Sequence, residues 1–214
     1  MRADLLIGGT LGATALRRLD PATIATVVTD DHALAAEAEE LGLPATTEPT
    51  WEPAARGLSV HYQRIVPEAQ IRRYEGLWNL HPGLLPFGRG FYPVFWALYE
   101  GTPAGATLHE MVTALDAGPI VDRTHVPARA ADTGGSLHGR VQAAELALLD
   151  RWWPRIVAGR DLPSAPQPEP APRARAKAEF FALKERGWRE LGAAQLAHLE
   201  RCLTFPGHPG IVRD

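Results

Sequence analysis

The feature that most restricts the fold is a regular alternation of short apolar strands with helical segments over the first 80 residues. Strands are predicted at 3–8, 23–28, 43–46, 58–62 and 76–80, with helices at 13–19, 32–41 and 67–74. β-Branched runs such as Thr23-Ile24-Ala25-Thr26-Val27-Val28 are typical of buried strands. Strands that alternate with helices predict an α/β domain with a Rossmann-like, mostly parallel sheet and helices on both faces.

The second half of the chain does not continue this regular alternation of strands and helices. The pattern predicts a helix at 93–100, strands at 106–111 and 120–126, a long helix from 137 to 151 or 153, and a tail helix at 193–201. Five prolines between Leu162 and Pro172 exclude a helix or a central strand and predict an extended linker or strap. We therefore expect a main domain at 1–160, a proline-rich linker at 161–176 and a short helical C-terminal extension at 177–214.

Composition excludes several classes of protein. A net charge of −3 and a pI near 6.2 argue against a nucleic-acid surface. Cys202 is the one cysteine, so no intrachain disulfide can form, and we expect a packing role in a reducing compartment. The sequence contains no run of 18 apolar residues, so no membrane span is predicted. The expected location is the cytoplasm.

Two patterns that suggest a bound cofactor do not match their motifs. The cluster Gly8-Gly9-Thr10-Leu11-Gly12 follows a strand but lacks the G-x-G-x-x-G spacing of a dinucleotide site. The histidines at 61, 81, 109 and 125 lack a ligand spacing such as His-x-x-x-His, so no metal is expected.

One group of residues has the chemistry of acyl transfer. Asn79 and His81 lie at the end of the fifth predicted strand, where ligands bind in open α/β sheets, and their spacing places both side chains on one face. Asp116 follows in a loop between two later strands. An amide can donate to an oxyanion, an imidazole can move a proton, and a carboxylate can balance the charge of the imidazole. Alone, each residue is equally consistent with a strand edge, a surface histidine or a turn.

The motif around these residues resembles the superfamily of formyltransferases that use 10-formyltetrahydrofolate. The similar residues are Asn79-Leu80-His81-Pro82-Gly83-Leu84-Leu85-Pro86, Arg89-Gly90, Pro93, Trp96-Ala97-Leu98, Glu100-Gly101, Gly105-Ala106-Thr107-Leu108-His109 and Leu115-Asp116-Ala117-Gly118-Pro119-Ile120, within a stretch from about Leu58 to Gly159. The resemblance implies a catalytic triad of Asn79, His81 and Asp116, with 10-formyltetrahydrofolate as formyl donor.

The resemblance also implies where the donor binds. Its pterin is expected along the segment Tyr62, Gln63, Arg64, Ile65 and Val66, named here the donor loop, and beside Leu115 in the loop before Asp116. For the acceptor we expect Arg89, which can meet a phosphate or carboxylate with two hydrogen bonds, and Tyr92. A surface salt bridge is the alternative role of Arg89.

The acceptor is expected to be a primary amine on a small molecule. The run from Arg89 to Trp96 is similar to methionyl-tRNA and sugar N-formyltransferases, and Leu203-Thr204-Phe205-Pro206-Gly207 resembles the extension of enzymes that formylate nucleotide-linked amino sugars. Glycinamide ribonucleotide, a siderophore or antibiotic amine, and a non-catalytic folate-binding module are the alternatives. Apolar residues at 177–210 predict that the extension packs on the catalytic domain or forms a homodimer interface.

Overall fold

The structure, a computed structural model, describes residues 1–205, apart from the side chains of residues 186–189. The strands are β1 (Ala3–Ile7), β2 (Ile24–Thr29), β3 (Ala45–Thr46), β4 (Arg56–Val60), β5 (Gly76–His81), β6 (Gly105–Glu110) and β7 (Ile120–His125). The helices are α1 (Gly9–Arg18), α2 (His32–Glu40), α3 (Glu68–Ile71), α4 (Pro93–Glu100), α5 (Gly134–Val157), α6 (Lys177–Glu190) and α7 (Ala193–Leu203). No helix among the described residues has the length and apolarity needed to cross a membrane.

The seven strands form one mixed sheet in the order β3-β2-β1-β4-β5-β6-β7. β1 pairs in parallel with β2 and β4, β2 with β3, and β4 with β5. All five residues of β1 are buried, as expected for a central strand covered on both faces. The predicted α/β class with a mostly parallel, Rossmann-like sheet is confirmed.

Several predicted boundaries differ from the structure for local reasons. β4 ends at Val60 because His61 adopts a left-handed conformation, with φ of 56°, and so leaves the strand. α5 begins at Gly134, three residues earlier than predicted, where the Thr133 hydroxyl accepts from the backbone N–H of Ser136. The helix continues through Pro154 to Val157, and the Pro154 carbonyl accepts from Ala158 N.

The contacts divide the chain into two compact units. The first contains Met1–His81, Leu108–Asp122 and Leu146–Pro166, and the second contains Pro82–Thr107, Arg123–Glu145 and Gln167 onwards. The first unit holds β1–β5 and the adjoining parts of β6 and β7. The predicted domain boundaries near 160 and 176 stay a prediction.

A buried polar network supports the sheet of the first unit. The Asp4 carboxylate on β1 accepts from the Tyr74 hydroxyl at 2.8 Å, and that hydroxyl accepts from Trp51 Nε1 at 2.7 Å. Burial raises the pKa of Asp4, and its hydrogen bonds from Ala54 N and Tyr74 oppose this. Around the network packs an apolar cluster formed by Leu6, Val28, Trp51, Val66, Tyr74 and Leu77. This cluster holds β1, β2 and β5 together beneath the loops that follow them.

The second unit is built on α4 and the tail helices. Six consecutive residues of α4, Pro93 to Leu98, are buried, so Phe95 and Trp96 belong to the core of this unit. His198 of α7 stacks on Tyr99 at the end of α4, with ring centroids 5.6 Å apart. Cys202 is fully buried and burial raises the pKa of its thiol to about 11, as expected for a packing residue. Of the predicted tail, the Trp188 side chain and residues 206–210 lie outside the described residues.

The proline-rich segment is extended and hydrogen-bonded. Ala165 pairs with Ile120 through two backbone hydrogen bonds of 2.8 and 2.9 Å within the first unit. Further along, Arg175 pairs with Gly90 in the second unit. These pairings add backbone hydrogen bonds where the prolines themselves supply no donor.

Candidate active site

β5 carries the amide and the imidazole of the candidate site. It runs parallel to β4, with Ser59 opposite Asn79 and Val60 opposite Leu80. Asn79 is half-buried and His81, the last residue of the strand, is 5% exposed. Because these residues are two apart on one strand, their side chains leave the sheet on the same face. The strand ends here, so this face opens towards the loops beyond the sheet.

Asp116 is presented by a tight loop between β6 and β7. The residue itself is left-handed, with φ of 50°, and Ala117 N donates to Ala114 O at 3.2 Å across the turn. Gly118 lies so close to the Glu110 carbonyl that a Cβ at this position would overlap the oxygen and lie 2.8 Å from the carbon. The loop therefore requires glycine at 118 to place Asp116.

The structure brings His81 and Asp116 together. His81 Nδ1 lies 3.6 Å from Asp116 Oδ2, and both side chains are less than a tenth exposed. At this distance, in a site largely shielded from water, the carboxylate can balance a positive charge on the imidazole. Two residues 35 apart in sequence thus face each other, and they form an ion pair when the imidazole is protonated.

A second histidine joins the site, and sequence reasoning did not assign it a role. His109 on β6 is 2% exposed. Its Nε2 lies 3.2 Å from Asn79 Nδ2 and 3.6 Å from Asp116 Oδ1. Its ring meets the His81 ring edge to face, with centroids 6.1 Å apart. His109 therefore lies beside both the amide and the carboxylate, and the site is a four-residue cluster.

The two ends of the donor loop pack inward, and the residues between them are exposed. Tyr62 packs edge-on against Trp51, with centroids 6.5 Å apart, and Val66 belongs to the apolar cluster. Between them, Ile65 is 80% exposed. Leu115, in the loop before Asp116, is also exposed. An exposed isoleucine and an exposed leucine offer the apolar surface that a flat ring system needs.

The polar side chains of the donor loop bind the backbone. Gln63 Nε2 donates to His61 O at 2.8 Å, and Arg64 Nη1 donates to Thr47 O at 2.8 Å. A Cβ at Gly8 would overlap the His61 carbonyl, so glycine is needed where the first helix turn meets this loop. These contacts fix the first part of the loop.

The two predicted acceptor residues lie in the second unit. Arg89 Nε and Nη2 both donate to Gln167 Oε1, at 3.1 and 2.7 Å. Tyr92, immediately before α4, is left-handed with φ of 57° and stacks on Phe180 of α6 at 4.1 Å between centroids. Their roles in binding an acceptor stay predictions.

Comparison with known proteins identifies the family. The family model described as "Formyl transferase" matches residues 11–152, about two thirds of the chain, and the chain therefore belongs to the formyl transferase family. The resemblance found in the sequence is confirmed.

Three solved structures have the same fold. A sugar N-formyltransferase from Shewanella sp FDAARGOS_354 matches with a TM-score of 0.80 and 22% identity, over 96% of this chain and 89% of that one. The formyltransferase PseJ from Anoxybacillus kamchatkensis matches with a TM-score of 0.60 and 22% identity, over 77% and 93% of the two chains. Glycinamide ribonucleotide transformylase 1 from Symbiobacterium toebii matches with a TM-score of 0.65 and 23% identity, over 77% and 93%.

Proposed function

We propose that this protein is an N-formyltransferase that moves a formyl group from 10-formyltetrahydrofolate to the primary amine of a small molecule. The observation that carries the proposal is the distance of 3.6 Å between His81 Nδ1 and Asp116 Oδ2 at the carboxyl end of β5. The Asn79 side chain leaves the same face of this strand. This is the arrangement that formyl transfer requires, because the reaction develops a negative oxygen and releases a proton from the amine.

Each residue of the triad has a role that fits its environment. The Asn79 amide donates to the oxygen that becomes negative during transfer. His81 takes the proton from the attacking amine or, when protonated, donates to the same oxygen. Asp116 orients the imidazole and balances its charge, either directly or through one water molecule. One such oxyanion donor is worth about 3 kcal/mol of barrier, so Asn79→Ala should lose roughly a hundredfold or more in rate.

The donor fits the exposed apolar side chains of the first unit. The pterin would lie along the donor loop, with Ile65 and Leu115 against its ring and backbone groups of residues 62–66 meeting its polar edge. The structure of PseJ, a relative by fold, contains tetrahydrofolate, which supports a folate donor for this family member.

For the acceptor we propose a nucleotide-linked amino sugar. The similar structure from Shewanella is a sugar N-formyltransferase by name, and PseJ is in complex with UDP-4,6-dideoxy-4-formamido-L-AltNAc. Arg89 and Tyr92 are the proposed acceptor residues. Glycinamide ribonucleotide is the second candidate because the Symbiobacterium toebii enzyme has a similar fold. A siderophore or antibiotic amine and a non-catalytic folate-binding module remain alternatives, and the homodimer and the cytoplasmic location remain predictions.

The test follows conversion of 10-formyltetrahydrofolate to tetrahydrofolate with a panel of amines. The panel contains a UDP-linked 4-amino sugar, a dTDP-linked 3-amino sugar, glycinamide ribonucleotide and a siderophore-precursor amine. We expect turnover with a nucleotide-linked amino sugar, a loss of about a hundredfold or more in Asn79→Ala, and a comparable loss in Asp116→Asn. Asp161→Asn is the matched control, since the Asp161 side chain is fully exposed. Turnover with no amine, together with no folate binding by calorimetry at millimolar concentration, would refute the proposal.

A further inference from the structure

His109 is the one residue of the cluster that contacts both ends of the proposed triad without a role in it. It lies on β6, and its side chain is almost completely buried. Three groups face its ring: the Asn79 amide at 3.2 Å, the Asp116 carboxylate at 3.6 Å and the edge of the His81 ring. The fourth neighbour is the backbone carbonyl of Glu110, 2.7 Å from His109 Nδ1.

The Glu110 carbonyl determines which nitrogen of His109 carries the proton. A carbonyl oxygen only accepts hydrogen bonds, so Nδ1 at 2.7 Å must be an N–H donor. In the neutral ring, Nε2 is then an acceptor with a lone pair in the ring plane. The Asn79 Nδ2 at 3.2 Å is the donor within hydrogen-bond reach of that lone pair, whereas Asp116 Oδ1 at 3.6 Å lies beyond it.

This tautomer determines the orientation of the Asn79 amide. With Nδ2 towards His109, one N–H is used by the imidazole and the second remains for another acceptor. A flipped amide would place its oxygen against the Nε2 lone pair and lose the hydrogen bond. We propose that His109 is a positioning residue, which holds the Asn79 amide so that its second N–H points to the reacting oxygen. This inference rests on the proposed role of Asn79 as the oxyanion donor.

The loop that presents Asp116 supports the same arrangement. The Glu110 carbonyl that orients His109 is the group against which Gly118 packs, and Glu110 N donates to Pro119 O at 2.9 Å. The orientation of the amide on β5 is therefore connected through His109 to the backbone of the Asp116 loop. One loop positions both the carboxylate and, through His109, the amide.

The composition of the chain allows a direct test of the amide. Asn79 is the single asparagine in the 214 residues, so labelling with [15N]asparagine gives one side-chain NH2 group by NMR. We expect one of its two protons to be shifted downfield and protected from exchange, and 15N-histidine spectra at pH 7.5 to give Nδ1–H with an unprotonated Nε2 for His109. His109→Gln should retain the shifted proton because its amide oxygen replaces Nε2. His109→Asn should lose it because its amide reaches only the position of Nδ1. This variant has a second asparagine NH2 group, which is identified as the signal that remains in the Asn79→Ala/His109→Asn double variant.

Kinetics separate a positioning role from a structural one. In the 10-formyltetrahydrofolate assay with a UDP-linked 4-amino sugar, His109→Asn should lose about tenfold in kcat with little change in KM. His109→Gln should recover most of that loss. In an Asn79→Ala background the same His109→Asn change should cost less than twofold, because its effect acts through the amide. His125→Asn and His125→Gln, on an exposed histidine of β7, are the matched controls.

The outcomes distinguish this inference from the proposed function. If the wild-type protein turns over no amine, the proposed function is wrong, and the two NMR measurements alone decide whether His109 orients Asn79. A protonated Nε2, whether or not Nδ1 is also protonated, or an Asn79 NH2 signal unchanged in His109→Asn, refutes the inference even in an active enzyme. An undiminished effect of His109→Asn in the Asn79→Ala background also refutes it, since the effect would then not act through the amide.

Discussion

Gly118 offers a sharp test of how the Asp116 loop is held. It is not left-handed, so steric space is the reason for glycine at this position. A Cβ would overlap the Glu110 oxygen and lie 2.8 Å from the carbonyl carbon, and both are backbone atoms that cannot rotate away. We expect Gly118→Ala to displace the carbonyl and, with it, the hydrogen bond from His109.

The magnitude follows from three contributions. Forcing an extra methyl into a packed site costs about 1–3 kcal/mol. Weakening one buried hydrogen bond adds about 1 kcal/mol. Reduced entropy of the unfolded chain offsets about 0.4–1 kcal/mol. The free energy of unfolding should therefore fall by about 1–3.5 kcal/mol, which for a chain of this size corresponds to roughly 2–14 °C in Tm.

Thermal unfolding followed by circular dichroism measures the effect, and Gly139→Ala is the matched control. Gly139 lies within α5 and a Cβ there would meet nothing within 4 Å, so this change should raise the stability by about 0.5–1 kcal/mol through helix propensity. The formyl-transfer rate should fall only in Gly118→Ala. A Tm of Gly118→Ala equal to that of the wild type would mean that the loop relaxes freely, and the argument for a rigid Asp116 loop would be wrong.

Two further predictions concern the second unit. Burial opposes the charged form of Asp132, but hydrogen bonds from Arg129 N, the Ser136 hydroxyl and the Arg140 guanidinium together hold its pKa below the usual range. The stability from this depressed pKa is present above about pH 4, the unfolded value, and is lost as pH falls through the folded value. Asp132→Asn should therefore lower the free energy of unfolding by about 1–2 kcal/mol at pH 7 and by progressively less in acid. Urea titration at several pH values measures this, and equal losses at all pH values would contradict the prediction. Truncation after Pro172 removes α6 and α7 and exposes the buried residues of α4, so the shortened chain should aggregate or lose activity. A product that is monodisperse by size-exclusion chromatography and fully active in the formyl-transfer assay would contradict the prediction.

The strands of the sheet were predictable because their signal is local. Runs such as Thr23 to Val28 combine β-branched residues with flanking turn residues, and the observed β2 covers 24–29. The position of Asn79 and His81 at a strand end followed from the same pattern. What periodicity could not predict is where a strand stops: β4 ends at Val60 because His61 turns left-handed against Gly8, a contact between residues more than 50 apart.

The partners of the site residues could not be predicted from the sequence. Arg89 donates to Gln167, 78 residues later, within a segment whose prolines indicate only that it is extended. The spacing of His109 from the histidines at 61, 81 and 125 tests for metal chelation and not for the orientation of an amide. The sequence signal for His109 is the alternation in Thr107-Leu108-His109-Glu110, which predicts a strand with a polar side chain at 109. A polar side chain on a buried strand needs a hydrogen-bond partner.

Backbone strain coincides with the proposed function. Among the described residues, the non-glycine positions with positive φ are His61, Tyr92 and Asp116, each of which costs about 1–3 kcal/mol in a typical protein. One precedes the donor loop, one is a proposed acceptor residue and one is the proposed catalytic carboxylate. Each is held by a specific contact: Gly8 against the His61 carbonyl, Phe180 stacked on Tyr92, and the tight turn at Gly118 after Asp116. Such conformations persist only where the surrounding structure over-determines them, which supports the proposal that these three loops present side chains and carbonyls to the reactants.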